Sequence, residues 1–307
     1  MSASPHSAGV FEPVPQQVPA GTRYEGWVGG TYSRWWVYGN ADATPLVLVH
    51  GFRGDHHGLE IIATGLKDFC VYIPDLPGFG KTAPIEGAEH AVSTYAAWLV
   101  DFIETAVGSP VHLVGHSFGS IVSSYTALVR PHLVERLTLI NPICQPALEG
   151  DQKVMSRLAE LYYGAGAALP ASLGFALLRS RLVTRLSSEF MMKNHDPALR
   201  RFINGQHDAY FGAFASREAV LQAYRASISS TAADFTPALP MPVQLIVAEK
   251  DDLGTLELQQ AMARKLQRGR LDIIPEVGHL IHYETPLRAA SLIAGFHSQD
   301  LEEGQVA

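Results

Sequence analysis

The chain has 307 residues, 47% of them hydrophobic and 17% charged, which is the composition of an ordinary globular protein with enough length for a sizeable core. A net charge of −7, with no cluster of Lys and Arg, argues against a nucleic-acid surface. The only cysteines, Cys70 and Cys144, lie in apolar surroundings, so a disulfide framework is not expected and buried thiols in a reducing cytoplasm are.

Residues 1–20 carry Pro5, Pro13, Pro15 and Pro19 without the basic start or apolar stretch of a secretory signal, and read as a loosely ordered arm. Tyr32 to Tyr38 and Leu46 to Val49 read as strands, the second a continuous apolar run suited to burial on both faces. It ends in His50-Gly51-Phe52. A helix is predicted over His57 to Leu66, a strand over Phe69 to Ile73, and a tight loop over Asp75 to Gly80. Tyr95, Trp98, Leu99, Phe102, Ile103 and Ala106 fall three or four apart on one helix face. The strand Val111 to Val114 then runs into Gly115-His116-Ser117-Phe118-Gly119 and a helical segment from Phe118 to Arg130. Leu137 to Ile140 is the next strand.

From about Gln145 to Phe235 the strand rhythm stops and the sequence becomes helical and alanine-rich. It reads as an inserted cap over 145–235, dividing a core of 21–144 and 236–299. The uncharged run Leu161 to Leu178 approaches the length of a membrane span. It is broken by Gly164, Gly166, Pro170, Ser172 and Gly174, so a pair of cap helices lining a pocket is the preferred reading and no stable membrane insertion is expected. Contact with a membrane interface is the lesser alternative. Val243 to Ala248 restores a strand before Glu249-Lys250-Asp251-Asp252. Leu256 to Leu266 reads as a helix, Leu271 to Ile274 as the last strand, Gly278-His279 as the loop after it and Pro286 to Phe296 as the terminal helix. A polar tail over 300–307 holds Glu302 and Glu303.

Strands alternating with helices imply parallel βαβ units covered on both faces, and ligands of such sheets bind beyond the carboxyl ends of the strands. His50-Gly51-Phe52, Asp75, Ser117, Asp251 and His279 all fall there. In a strand-to-helix turn of the form G-x-S-x-G the backbone is strained and the flanking residues must be small, which Gly115 and Gly119 satisfy around Ser117. A serine hydroxyl needs an adjacent base, and the base an acceptor that fixes its tautomer. His279 is the candidate base, with His282 as a nearby competitor. Asp251 is the candidate acid, although spacing alone does not separate it from Asp252. His50 reads as a structural residue of the loop after the strand, and Asp75 as a loop brace. The pair His56-His57 has no evident carboxylate or cysteine partner and is assigned to solvent or pocket lining rather than to a metal. The cap aromatics Tyr162, Tyr163, Phe175, Tyr210, Phe211 and Phe214 read mostly as cap core, with some of them lining a pocket.

These five ordered pieces, His50-Gly51-Phe52, Asp75 to Gly80, Gly115 to Gly119, Glu249-Lys250-Asp251 and Gly278-His279 with Glu284 and Pro286 behind, resemble the capped members of the α/β-hydrolase family over roughly residues 35 to 296. The resemblance implies an α/β fold with a mostly parallel sheet and an inserted helical cap. It also implies an oxyanion hole formed by the backbone N–H groups of Phe52 and Phe118, and no cofactor or metal. Relatives that open epoxides or remove halides place aspartate where this chain has Ser117. Those that cleave carbon–carbon bonds typically place tryptophan where it has Leu280. The expected activity is cytoplasmic hydrolysis of an ester or thioester of a small to medium apolar acyl group through an acyl-enzyme on Ser117. A carbon–carbon hydrolase of a ring-fission diketone and a ligand-binding receptor are the alternatives. The partner expected is a small-molecule acyl substrate, and oligomeric state is left open, a homodimer included.

Overall fold

Leu46, Val47, Leu48 and Val49 are all fully buried, and their side chains alternate between two separate apolar clusters. The computed structural model describes residues 18–145 and 153–298, so nearly all of the expected arm and all of the polar tail lie outside the described residues. Eight strands form one sheet: β1 Thr22–Val28, β2 Thr31–Tyr38, β3 Thr44–Val49, β4 Phe69–Pro74, β5 Val111–His116, β6 Val134–Ile140, β7 Val243–Ala248 and β8 Gly269–Ile274. Their spatial order is β1-β2-β4-β3-β5-β6-β7-β8. The pairs β1–β2 and β2–β4 are antiparallel and every other pair is parallel.

Helices cover both faces. On one, Ile62 and Ala63 of α1 (Glu60–Gly65) pack with Leu46 and Leu48, alongside Ala289 and Ile293 near the chain's end. On the other, α2 (Val92–Phe102) and α3 (Phe118–Val129) bring Tyr95, Trp98, Phe102, Phe118 and Ile121 against Val47 and Val49. Between β6 and β7 lie α4 (Lys153–Ala168), α5 (Ala171–Leu178), α6 (Arg181–Met191), α7 (Pro197–Tyr210) and α8 (Arg217–Ser229). After β7 come α9 (Leu256–Ala263), α10 (Ile281–Glu284) and α11 (Pro286–His297). The chain runs from β3 to β4 on one side and to β5 on the other, which makes the carboxyl ends of β3 and β5 the point where the winding reverses.

Several expectations are corrected in detail. The helix expected over His57 to Leu66 is a 3₁₀ turn, His56–Gly58, capped by the Asp55 side chain and followed by α1, with Leu59 between them. The second helix passes at Ile103 into a π turn that ends at the left-handed Gly108. The helix expected to reach Leu266 stops at Ala263. The first strand, β1, was not expected at all, and Cys144 is half-buried rather than enclosed, although burial still pushes its thiol up to about 12. The uncharged run from Leu161 to Leu178 is divided between α4 and α5, and among the described residues no helix is long and apolar enough to cross a membrane.

Candidate active site

Ser117 stands between β5 and α3 with φ 54° and ψ −119°, a left-handed conformation that only surrounding constraint sustains in a non-glycine residue. The glycines on either side explain how the turn closes. A Cβ at Gly115 would lie 2.4 Å from the Gly119 carbonyl oxygen, and one at Gly119 would lie 2.3 Å from that of Val49. Any larger residue at either place would push α3 off the strand ends. Because Phe118 opens α3, its N–H has no partner within the helix, and among the described residues neither it nor the Phe52 N–H has a hydrogen-bond acceptor. The Gly51 loop runs against the serine, with its would-be Cβ 3.1 Å from Ser117 Cβ.

His279 Nε2 lies 2.9 Å from Ser117 Oγ, and His279 Nδ1 lies 2.9 Å from Asp251 Oδ2. Both His279 and Asp251 are buried, at 5% and 1% side-chain exposure. The backbone N–H of Leu253 donates to the other Asp251 oxygen at 2.9 Å, which fixes the carboxylate plane. The adjacent Asp252 points outward to Lys193. With Nδ1–H donated to the acid, the Nε2 lone pair faces the serine hydroxyl, the arrangement a general base requires. His282, the competing histidine, instead packs its ring against His116 at a tilt of 58°, with centroids 4.3 Å apart, and among the described residues makes no hydrogen bond to Ser117. Burial holds His116 down to about 3 and pushes His282 well below its ordinary value, so both are neutral imidazoles beside the site.

Four buried polar residues brace these loops. His50 accepts the Leu76 N–H at 2.9 Å and lies 2.8 Å from the Gly51 carbonyl, so it ties the loop after β3 to the loop after β4. Asn141, at the end of β6 with φ 42°, donates to the carbonyls of Gly278 (3.2 Å) and His279 (3.0 Å) and accepts from Ala248 N–H (2.8 Å). It therefore joins the loop of the histidine to the strand that leads to Asp251. The fully buried Glu284 accepts from Gly278 N–H at 2.8 Å, and from Lys193 and Asn194 N–H at 3.0 and 2.8 Å. Asp75 accepts from the backbone and ring of His56 and from Lys81 N–H. The expectation that His56 and His57 lack carboxylate partners is thus corrected: Asp75 holds the first at 2.9 Å and Asp55 the second at 3.1 Å. The signal was local, since Asp55 immediately precedes the pair.

Arg53, next to Phe52, is, with Asn141, a residue whose importance sequence reasoning missed. It has φ 59°, is 2% exposed, and among the described residues has no carboxylate partner. Its guanidinium donates to the carbonyls of Leu178 (2.7 Å) and Phe211 (3.1 Å) and lies 3.4 Å from the Tyr163 hydroxyl. Leu178 ends α5 and Phe211 follows the last residue of α7, so one cation satisfies the negative ends of two helices. The Phe211 ring lies 4.3 Å from the guanidinium carbon. Arg53→Met is expected to lower stability by about 2–4 kcal/mol, by stranding two buried carbonyls. Hydrogen exchange should speed up in α5 and α7 while the amides of β5 and β7 stay protected.

Ser117 opens into a cavity of about 810 Å³, within the range of small-molecule sites. Its walls include Phe52, Tyr162, Tyr163, Tyr210 and Phe211, while Phe175 and Phe214 stack on each other elsewhere. His207 also lines it, and burial holds its pKa down to about 4.

A sequence model described as the Alpha/beta hydrolase family matches residues 46–292. Among curated proteins, the chain is 23% identical over 250 residues to the (E)-2-((N-methylformamido)methylene)succinate hydrolase of Acinetobacter baylyi, covering 80% of this chain and 87% of that one. It is 31% identical over 104 residues to Lipase 1 of Psychrobacter immobilis, covering 34% of this chain and 33% of the lipase. Among solved structures, an esterase from Thermogutta terrifontis superposes with a TM-score of 0.70 at 21% identity, over 90% of this chain and 98% of the other. The enol-lactonase of Burkholderia xenovorans gives 0.74 at 15% identity, over 90% and 100%.

Proposed function

Because the chain belongs to the α/β-hydrolase family, we propose that it is a serine hydrolase that cleaves an ester or thioester of an apolar acyl group. The observation that carries the reading is the unbroken chain from Ser117 through His279 to Asp251, with two 2.9 Å contacts, at the floor of a largely aromatic and aliphatic cavity. In this reading His279 Nε2 takes the Ser117 proton as Oγ attacks the acyl carbon, and the imidazolium that forms is stabilised by Asp251. The carbonyl oxygen becomes an oxyanion received by the N–H groups of Phe52 and Phe118, at the amino end of α3. His279 then protonates the departing alkoxide or thiolate. A water molecule, deprotonated by the same imidazole, releases the acid and restores Ser117. Each proton is accepted and returned by the chain's own groups, and each negative charge develops beside an N–H donor.

Initial rates on p-nitrophenyl esters of increasing acyl length test this reading. The expected result is an optimum at intermediate length, since the apolar walls favour added methylenes until the cavity is filled. Rates that stay flat and near background across the series would overturn it.

A further inference from the structure

Helix α6 is inside out. Thr184 and Ser188 are 5% and 0% exposed, and Ser188 bonds to the buried His207, whereas Leu182, Leu186 and Phe190 follow at intervals of four along the outer face. Leu182 is 70% exposed and Leu186 63%, and Leu161 on α4, a helix that lines the same cavity as α6, is again 70% exposed. Of the eleven large apolar side chains exposed among the described residues, seven lie between 158 and 190. Scattered exposed leucines need no explanation, but a cap surface that turns its hydroxyls in and its leucines out does.

We propose that this outer face of α4 to α6 docks on an anionic lipid surface. Between 153 and 193 the chain has six lysines and arginines against two glutamates, in a protein of net charge −7 overall. Glu160 pairs with Arg225 and Glu189 with Arg200, and two of the cations are likewise engaged, Arg185 by Asp208 and Lys193 by Asp252, while Arg157 and Arg181 stand exposed. An apolar stripe bordered by excess cations is the pattern of a helix lying in the headgroup region rather than crossing the bilayer. A second copy of the chain fits the face less well, because a symmetric contact would set these cations against their own kind. The face also continues inward: Leu158, Leu186 and Phe190 are exposed on the surface and line the cavity over Ser117. An apolar ester could pass from lipid to the cavity without crossing water. That last step rests on the proposed chemistry at Ser117, whereas docking does not.

Flotation of the full chain with vesicles tests the inference without any turnover. Wild-type protein is expected to rise with vesicles of phosphatidylcholine and phosphatidylglycerol, much less with phosphatidylcholine alone, and less as salt is raised. Leu161→Ser combined with Leu182→Ser, at two positions that do not line the cavity, should lower the partition by about tenfold or more. The same variant should keep its melting temperature and its rate on a soluble short-chain ester. Wild-type protein that stays in the aqueous fraction with both vesicles would overturn the inference, as would a double variant that floats like wild type. So would a wild-type dimer, seen by light scattering, that the double substitution dissociates. Loss of esterase activity with flotation intact would count against the chemistry alone.

Discussion

Ser117→Ala is expected to fold with an unchanged melting temperature and to lose about 10⁴-fold or more of its kcat on the best p-nitrophenyl ester. The backbone at Ser117 is held at φ 54° by its neighbours, and alanine has the same conformational preferences there as serine. Loss of Oγ leaves His279 Nε2 facing the cavity, where water can reach it, so no buried group is orphaned. What disappears is the only atom placed to form the acyl-enzyme in the proposed mechanism. A variant that keeps most of its turnover would remove Ser117 from that role.

The second large effect separates two adjacent carboxylates. Asp251→Asn should lower kcat by about 10⁴-fold, because an amide donor facing Nδ1 favours the imidazole tautomer whose proton sits on Nε2, where it cannot accept from serine. Asp252→Asn should change kcat by less than about threefold, since it removes only a half-exposed ion pair with Lys193. Both variants should be compared at one pH, with melting curves to confirm folding. Were Asp252→Asn the crippled one, the acid would have been assigned to the wrong residue.

Features of this molecule were legible in the sequence when the constraint that produces them is local. Leu46 to Val49 and Val243 to Ala248 are apolar throughout because both faces of those strands are covered, and no periodicity is needed to recognise them. The turn at Ser117 was legible because its two close approaches each demand glycine within two residues. Strand β1 was not, since five of its seven residues are exposed and its order comes from pairing with β2, Thr22 opposite Val37. The choice of Asp251 over Asp252 was beyond spacing, because it depends on how the chain leaves β7 toward a histidine 28 residues away. Asn141 and Arg53 were also out of reach, as were the contacts of Glu284, a residue noted only as part of a motif. Their partners are backbone groups, which every residue possesses, and those of Arg53 stand 125 and 158 residues along the chain. No side-chain pattern can announce a contact with a carbonyl.

The attachment of Arg53 decides how the cap behaves mechanically. Swinging α5 and α7 away from the loop beside Phe52 would strip a buried cation of two carbonyls and an aromatic face at once. The cap is therefore a lintel and not a door. Leu158 of α4 and Leu186 and Phe190 of α6 are both exposed and part of the cavity lining. Under the proposed chemistry, the size of these side chains, rather than the frequency of a hinged opening, would govern which molecules reach Ser117. Substrate range in this scaffold becomes a property that evolution or a designer can adjust one side chain at a time along α4 and α6, leaving the residues around Ser117 untouched.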